Sequence, residues 1–442
     1  MSADKLLNFL RLNVALACAV ALSLLLAWTV IERPYNNAPP IRSDGAGYHV
    51  WVYGLMNSDF SFCAYRPLLD PTASISLENK AKNICGVKYP PGVGLLQLPF
   101  VAFWASDSTF AAYAPAVHTA ILWLGAVLCF FVAFFSYKSL ALLGCSTPVG
   151  LIAIACFLFG SGLFHYATYD ASFSHVYSAF GVSALAWLAI RGNKRGWSFF
   201  TMGLLGLLVF WLQLVRPTNG AITLMLTVLI ALQTQSRAMR IQISLVWIIG
   251  VAAGLGLQVA YNFYVSGEIR ISSYGQEAFV GLGLHSADVF LSYERGLFTY
   301  YPIFLVTIVG ASLVWRDKLT FGFMILTALF ALVYGSWHSW YLGGGMGHRG
   351  FVELAPLGIL VLGMALDRMP KGTTQYFYPL LAGCVGVTVI VTAGYWQGSF
   401  PYAGANSEIF WTHLSERGLI LIAFVGATTF LDFDSVSTSL SK

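Results

Sequence analysis

The chain has 442 residues, of which 57% are hydrophobic and only 10% charged, against roughly 25% charged in soluble globular domains. That balance excludes a water-soluble enzyme and indicates an integral membrane protein. The net charge of +5 asks for no nucleic-acid partner, because the basic residues fall in short turns between apolar runs rather than in a binding patch.

Apolar runs able to cross a core of about 30 Å recur from end to end, and roughly twelve are predicted, some short enough to be tilted or paired. They lie at 11–31, 113–136, 148–164, 173–190, 198–215, 217–233, 242–264, 297–315, 319–335, 351–366, 376–395 and 418–431. The first follows Lys5 and Arg11, is too long for a signal-peptide core and is expected to be a retained anchor. With the N-terminus in the cytoplasm, Lys138, Arg191, Lys194, Arg195, Arg237, Arg240, Arg316, Lys318, Arg368 and Lys371 fall in inner turns, as the positive-inside rule asks. Asp44, Asp59, Asp170, Glu268, Glu277, Asp288 and Glu294 fall outside, so the functional face is expected there. The expected architecture is an all-α membrane protein, one polytopic bundle over 1–442 of about 11–13 transmembrane helices, with an extracytoplasmic cap and an interfacial helix.

The first outer loop, 32–112, is the largest polar excursion. In it Tyr48, Trp51, Val52, Leu55 and Met56 recur at the spacing of an amphipathic helix, which predicts a helix lying in the membrane interface beside a lateral opening for a lipid tail. Ser43 or Asp44 would cap its start. Cys63 and Cys85 share this loop and are candidates for a disulfide worth about 3 kcal/mol in an oxidising compartment. Cys18, Cys129, Cys145, Cys156 and Cys384 lie in or beside apolar runs and read as small hydrophobes. Further outer excursions cover 265–296 and Trp337 to Arg349.

Asp44, in Ser43-Asp44-Gly45-Ala46-Gly47-Tyr48, has two readings: a helix cap or Asx turn, and a general base. Retaining glycoside hydrolysis needs two carboxylates. Inverting displacement at a sugar phosphate needs one, because phosphate leaves without protonation, so a single prominent outer acid fits transfer better than hydrolysis. Cations to hold a phosphate are Lys88, Arg216, Arg295 and Arg349, with snorkelling to headgroups as the alternative for Arg216. Candidates for a sugar or acceptor pocket are Tyr48, His49, Asp170, His175, His338, His348 and Glu353, the last expected to pair with Arg349 four residues before it. No His-Glu-x-x-His or paired ligand spacing occurs, so no metal or other cofactor is expected, although a divalent ion stays open. The lack of a P-loop or a Gly-x-Gly-x-x-Gly turn argues against a nucleotide-sugar site, so an activated sugar would arrive on a lipid.

Taken together, the first span, the acid opening a long outer loop, Tyr89-Pro90-Pro91-Gly92, Val215-Arg216-Pro217-Thr218-Asn219 and Gly347-His348-Arg349-Gly350-Phe351-Val352-Glu353 resemble the GT-C superfamily of membrane glycosyltransferases. The nearest kin would be bacterial enzymes related to protein O-mannosyltransferases and the lipid A aminoarabinose transferase. The resemblance covers most of the chain and implies that Asp44 is the catalytic base and that Lys88 contacts the donor phosphate. Two departures stand out: Gly45 occupies the place of a second acid in many relatives, and Tyr89 separates Lys88 from its prolines. The function expected is inverting transfer of a sugar from a polyprenyl-phosphate donor to a lipid, glycan or protein acceptor at the outer face of a bacterial inner membrane. The alternatives are an O-antigen-type polymerase or ligase, relying on outer-loop Arg and His, and a non-enzymatic lipid or glycan transporter, which would place ionisable groups at mid-membrane.

Overall fold

The computed structural model describes residues 3–32, 39–69, 75–103, 115–274 and 277–418, so the run predicted at 418–431 lies outside it but for its first residue. In chain order the helices are α1 (Ala3–Glu32), α2 (Asp44–Asn57), α3 (Gly92–Val101), α4 (Pro115–Leu143), α5 (Thr147–Gly160), α6 (Leu163–Thr168), α7 (Ser174–Arg195), α8 (Phe199–Val215) and α9 (Asn219–Gln233). They continue with α10 (Arg237–Ser266), α11 (Ser286–Leu291), α12 (Leu297–Tyr300), α13 (Ile303–Ala311), α14 (Lys318–Gly335), α15 (Ala355–Arg368) and α16 (Lys371–Trp396). The protein is a multi-pass, all-α membrane protein. Among the described residues, six helical segments are long and apolar enough to cross a membrane: Asn13–Glu32, Pro115–Leu143, Arg237–Ser266, Lys318–Gly335, Arg349–Arg368 and Tyr376–Trp396.

Several predicted runs take another form. The run at 148–164 breaks at Ser161-Gly162, between α5 and α6, where the Ser161 hydroxyl turns back to donate to Phe157 O (2.6 Å). The run at 297–315 breaks at Pro302, which has no N–H to continue a helix from α12 into α13. The run at 173–190 becomes α7, which buries Ser174, His175, Ser178 and Ser183 against protein rather than presenting an apolar surface to lipid.

The first loop differs most from expectation. It contains an antiparallel hairpin, β1 (Ile75–Asn79) with β2 (Ile84–Val87), that the helical periodicity gave no sign of. A disulfide between Cys63 and Cys85 ties β2 to the 3-10 turn at Cys63–Leu68. Gly86 lies flat against Val265, and Val87 N–H donates to the Tyr261 hydroxyl (3.3 Å), which docks β2 on the end of α10. α2 does not lie along the membrane surface over its length: every residue from Gly45 to Gly54 is buried, and only the last turn, with Met56 and Asn57, is exposed. Glycine makes this packing feasible, since a Cβ at Gly94 of α3 would come within 2.6 Å of Trp51 Cβ. Trp51 therefore cannot flank a lipid entrance, since it is enclosed by Phe62 (5.2 Å) and Tyr261 (4.6 Å between ring centroids), while Leu55 is half-buried at the helix end.

The charged turns separate to two ends of the bundle. At one end, Ser146 N–H donates to Asp367 Oδ1 (2.9 Å), Asn193 Nδ2 to Gln233 Oε1 (2.9 Å) and Lys318 Nζ to Leu232 O (3.3 Å). α8 starts at that end and Arg216 follows its last residue, so the 17 residues of α8 set the two ends about 25 Å apart at 1.5 Å per residue.

Candidate active site

At the Arg216 end, a cleft of about 400 Å³ opens between α2, the Lys88-Tyr89 turn, the Phe173-Ser174-His175 start of α7 and the segment from Trp337 to Arg349. Each wall has a local cause. β2 delivers Lys88 and Tyr89, and the following Pro90-Pro91-Gly92 turn nests on α8, where Gly92 touches the Leu214 backbone and its carbonyl accepts Trp211 Nε1–H (2.9 Å). That contact brings the Lys88-Tyr89 turn beside Arg216.

Asp44 is the first residue of α2. Ser43 stands at the N-cap position with φ 46° but makes no side-chain cap, and the Asp44 carboxylate is directed into the cleft instead of onto the helix. Its Oδ1 accepts the Tyr89 hydroxyl (2.6 Å) and its Oδ2 is 2.8 Å from an Arg349 guanidinium nitrogen. Burial, then the adjacent Asp44 charge, pushes the Tyr89 hydroxyl well above its ordinary pKa, so it stays protonated and donates. Gly45 is tightly packed: a Cβ there would stand 3.0 Å from both Pro40 O and Ser172 Cβ, so a larger residue requires those neighbours to shift. The packing thus disfavours, at this position, the second acid that the resemblance puts there.

Lys88 Nζ pairs with Glu277 Oε1 (2.6 Å) and lies 5.5 Å from the ring centres of both Tyr89 and Tyr274. Arg216 pairs with Glu353 Oε1 (2.5 Å) and donates to His175 Nδ1 (3.0 Å). The cleft wall therefore presents three cations, Lys88, Arg216 and Arg349, and two carboxylates, Asp44 and Glu277, with Glu353 fully buried behind Arg216. Tyr48, Tyr89, Tyr274 and Trp337 add aromatic faces; Tyr48 and Tyr89 are 4.5 Å apart, and Tyr274 meets Trp337 edge-on at 5.7 Å. Such faces suit the apolar side of a sugar ring.

Of the residues singled out from sequence, Asp44, Tyr48, Lys88, His175, Arg216, His338 and Arg349 line this cleft. Others do not. Arg295 is 1% exposed and spends its guanidinium on the carbonyls of Glu294 and Tyr402, so it is a structural cation away from the cleft. His49 is buried within α2 and bonded to Gln97 (2.7 Å), which in turn donates to Ser172 (3.2 Å) and Tyr177 (3.0 Å). Asp170 pairs with Arg42 (2.6 Å) and His165 (3.0 Å) behind the Asp44 turn. His348 is packed against Tyr334 and Phe351, where burial drives its imidazole down to about 3 and keeps it neutral. Glu353 does not pair with Arg349. The segment Arg349–Leu354 is a 3-10 turn, in which residues i and i+4 diverge by about 120° instead of sharing a face.

Neither Glu277 nor Tyr274 nor Trp337 was singled out as a site residue from sequence. Glu277 carried one usable signal, an acid in an outer excursion without a neighbouring base. Among the described residues no group of three His, Cys, Asp or Glu side chains is placed to hold a metal ion.

No family model and no curated protein matches the chain. The functional reading therefore stands on the cleft itself.

Proposed function

We propose that the protein is an inverting GT-C-type glycosyltransferase that takes a sugar from a polyprenyl phosphate and places it on a lipid, glycan or protein acceptor. Its cleft would face outward from a bacterial inner membrane, with the N-terminus inside. The observation that carries this reading is the meeting of Asp44, Arg349, Lys88 and Arg216 in one cleft, at the bundle end remote from the basic turns. Positive charge on the far side is what the positive-inside rule asks of an outward-facing site.

The acceptor hydroxyl oxygen forms a bond to the anomeric carbon as the bond from that carbon to the phosphate oxygen breaks. The bonding pair leaves with the phosphate, the hydroxyl proton passes to Asp44, and configuration inverts. Asp44 is suited to this. Each of its oxygens has one partner, Tyr89 or Arg349, out of about two lone-pair sites per oxygen, so each can accept one more proton donor. Tyr89 and Arg349 hold the carboxylate plane in place. The leaving phosphate gains charge as it departs, and Lys88 and Arg216 stabilise it where it develops. Lys88 does so by exchanging Glu277 for phosphate, and the two tyrosine faces beside it keep its ammonium in the cleft.

The polymerase or ligase reading leans on outer-loop Arg and His; Arg349 and His338 line the cleft while Arg295 and His348 lie outside it, and the Asp44 carboxylate in the same wall favours single-base transfer. The test is to supply a radiolabelled polyprenyl-phosphate sugar, and separately a nucleotide sugar, to protein in liposomes with membrane lipid extract as acceptor. Transfer is expected from the lipid donor alone, with release of polyprenyl phosphate. Transfer from a nucleotide sugar without any polyprenyl lipid would overturn the proposal.

A further inference from the structure

Directly after Glu277 the chain reads Ala278-Phe279-Val280-Gly281-Leu282-Gly283-Leu284, with no charged or hydrogen-bonding side chain. The large side chains point out of the protein: Phe279 is 64% exposed, Leu282 87% and Leu284 64%. Water is a poor surrounding for a contiguous patch of this kind. The backbone, in contrast, is tied to the protein at several points. Val280 N–H donates to Ser336 O (2.8 Å), His338 N–H to Ala278 O (3.2 Å), His285 N–H to Gly335 O (2.8 Å) and Gly283 N–H to the Ser336 hydroxyl (2.8 Å). A non-helical segment pinned to protein by these bonds, with only hydrocarbon on its outer side, suits the interfacial edge of a lipid leaflet, where water at headgroup depth reaches the remaining main-chain groups that the hydrocarbon core would leave unpaired.

Its position narrows the role. Gly283 packs on Leu332, and Leu332 with Leu329 belongs to the exposed apolar flank of α14, one of the membrane-crossing helices. The segment therefore continues the lipid-facing surface up to the cleft. Glu277 just before it lines the cleft, and Phe279 pairs in an antiparallel bridge with Trp337, which lines the cleft too. Lys88 pairs with Glu277, and Phe279 follows two residues later, so this apolar segment begins beside the cation that would hold a phosphate.

We propose that Ala278–Leu284 is a membrane-inserted seat for the isoprenoid chain of the lipid-linked substrate, at the lateral mouth of the cleft. This rests on the lipid-phosphate reading for the headgroup, whereas chain binding is measurable without any sugar transfer. In a chain with Cys18, Cys129, Cys145, Cys156 and Cys384 replaced by alanine, Leu282→Cys and the exposed control Asn57→Cys are labelled with an environment-sensitive fluorophore in nanodiscs of tail-brominated phospholipid. Quenching of at least twofold is expected at 282 and none at 57, and an unbrominated polyprenyl phosphate at a few equivalents should relieve more than half of it. The same amount of unbrominated phospholipid should not. Absence of quenching at 282, or relief that phospholipid produces equally well, overturns the proposal. As a measurement independent of the label, Phe279→p-benzoylphenylalanine should photocross-link radiolabelled polyprenyl phosphate at least fivefold more than the same substitution at Phe199, 96% exposed at the far end of α8; equal cross-linking also overturns it. Protein that passes both tests yet transfers no sugar would defeat the glycosyltransferase reading and leave the lipid seat intact.

Discussion

Removing the charge of Asp44 while keeping its shape separates a base from a structural ion pair. In Asp44→Asn the amide oxygen can still accept the Tyr89 hydroxyl, which sits 2.6 Å from Oδ1, but the amide cannot take a proton from an acceptor hydroxyl. Transfer should fall by about 10²-fold or more, equivalent to about 2.7 kcal/mol of transition-state stabilisation. The same change costs Arg349 a charge-assisted hydrogen bond at 2.8 Å, a contribution of about 1.5–3 kcal/mol. Lost activity in the single variant is thus open to two causes. Asp44→Asn combined with Arg349→Gln removes both charges, so no uncompensated cation is left in the wall and stability should return to within about 1 kcal/mol of the parent. Transfer should stay low. The assay is single-turnover release of radiolabelled sugar from its polyprenyl phosphate in liposomes, with thermal unfolding followed on the same preparations. Unchanged turnover in Asp44→Asn, or recovery of the double variant to within tenfold of the parent, would refute the general-base assignment.

Arg216→Ala strands Glu353, fully buried in the structure, and should cost about 3–5 kcal/mol of stability; adding Glu353→Gln should restore the melting temperature but not donor-lipid binding, and restored binding would reduce Arg216 to a structural counter-ion. Asp170→Asn loosens Arg42, which holds the turn ahead of Asp44, so kcat should drop roughly tenfold with donor affinity kept, about the effect of misplacing a base; a change in affinity alone would place Asp170 elsewhere in the cycle. Cys63→Ala with Cys85→Ala opens a loop whose ends are 22 residues apart, a loss of about 3 kcal/mol, and should lower transfer by freeing β2 and with it Lys88 and Tyr89; intact transfer after full reduction would show that the α10 contacts suffice. A cysteine at Asn57 should react with an impermeant thiol reagent from outside intact cells and one at Lys194 should not, in the cysteine-replaced chain; the reverse pattern would turn the cleft to the cytoplasm.

Composition and run length identified the membrane class because burial in lipid is set by local sequence: a stretch such as 242–264 is apolar whatever it packs against. Charge sorting was local for the same reason, since Arg195 and Arg237 lie in short turns, and the structure gathers such turns at one end. Asp44 was visible from its isolation as an acid beside a turn. What decided its surroundings was long-range. Arg349 lies 305 positions from Asp44 by their numbers, and Glu353 lies 137 from Arg216, so neither pair leaves a trace in periodicity or spacing. The nearer pairing of Arg349 with Glu353 looked better in sequence only because an α-helix was assumed where a 3-10 turn forms. The stripe from Tyr48 to Met56 failed similarly. Apolar periodicity reports that one helix face avoids water, but the small residues Gly45, Ala46 and Gly47, with Gly94 opposite Trp51, let neighbouring segments close over the other faces as well. Glu277 and Trp337 became site residues only when the 265–296 excursion folded back on the end of α14. Sequence alone thus determined the solvent the protein lives in and singled out one outer carboxylate; tertiary structure decided which cations face it, because those pairings are fixed by how distant helix ends pack.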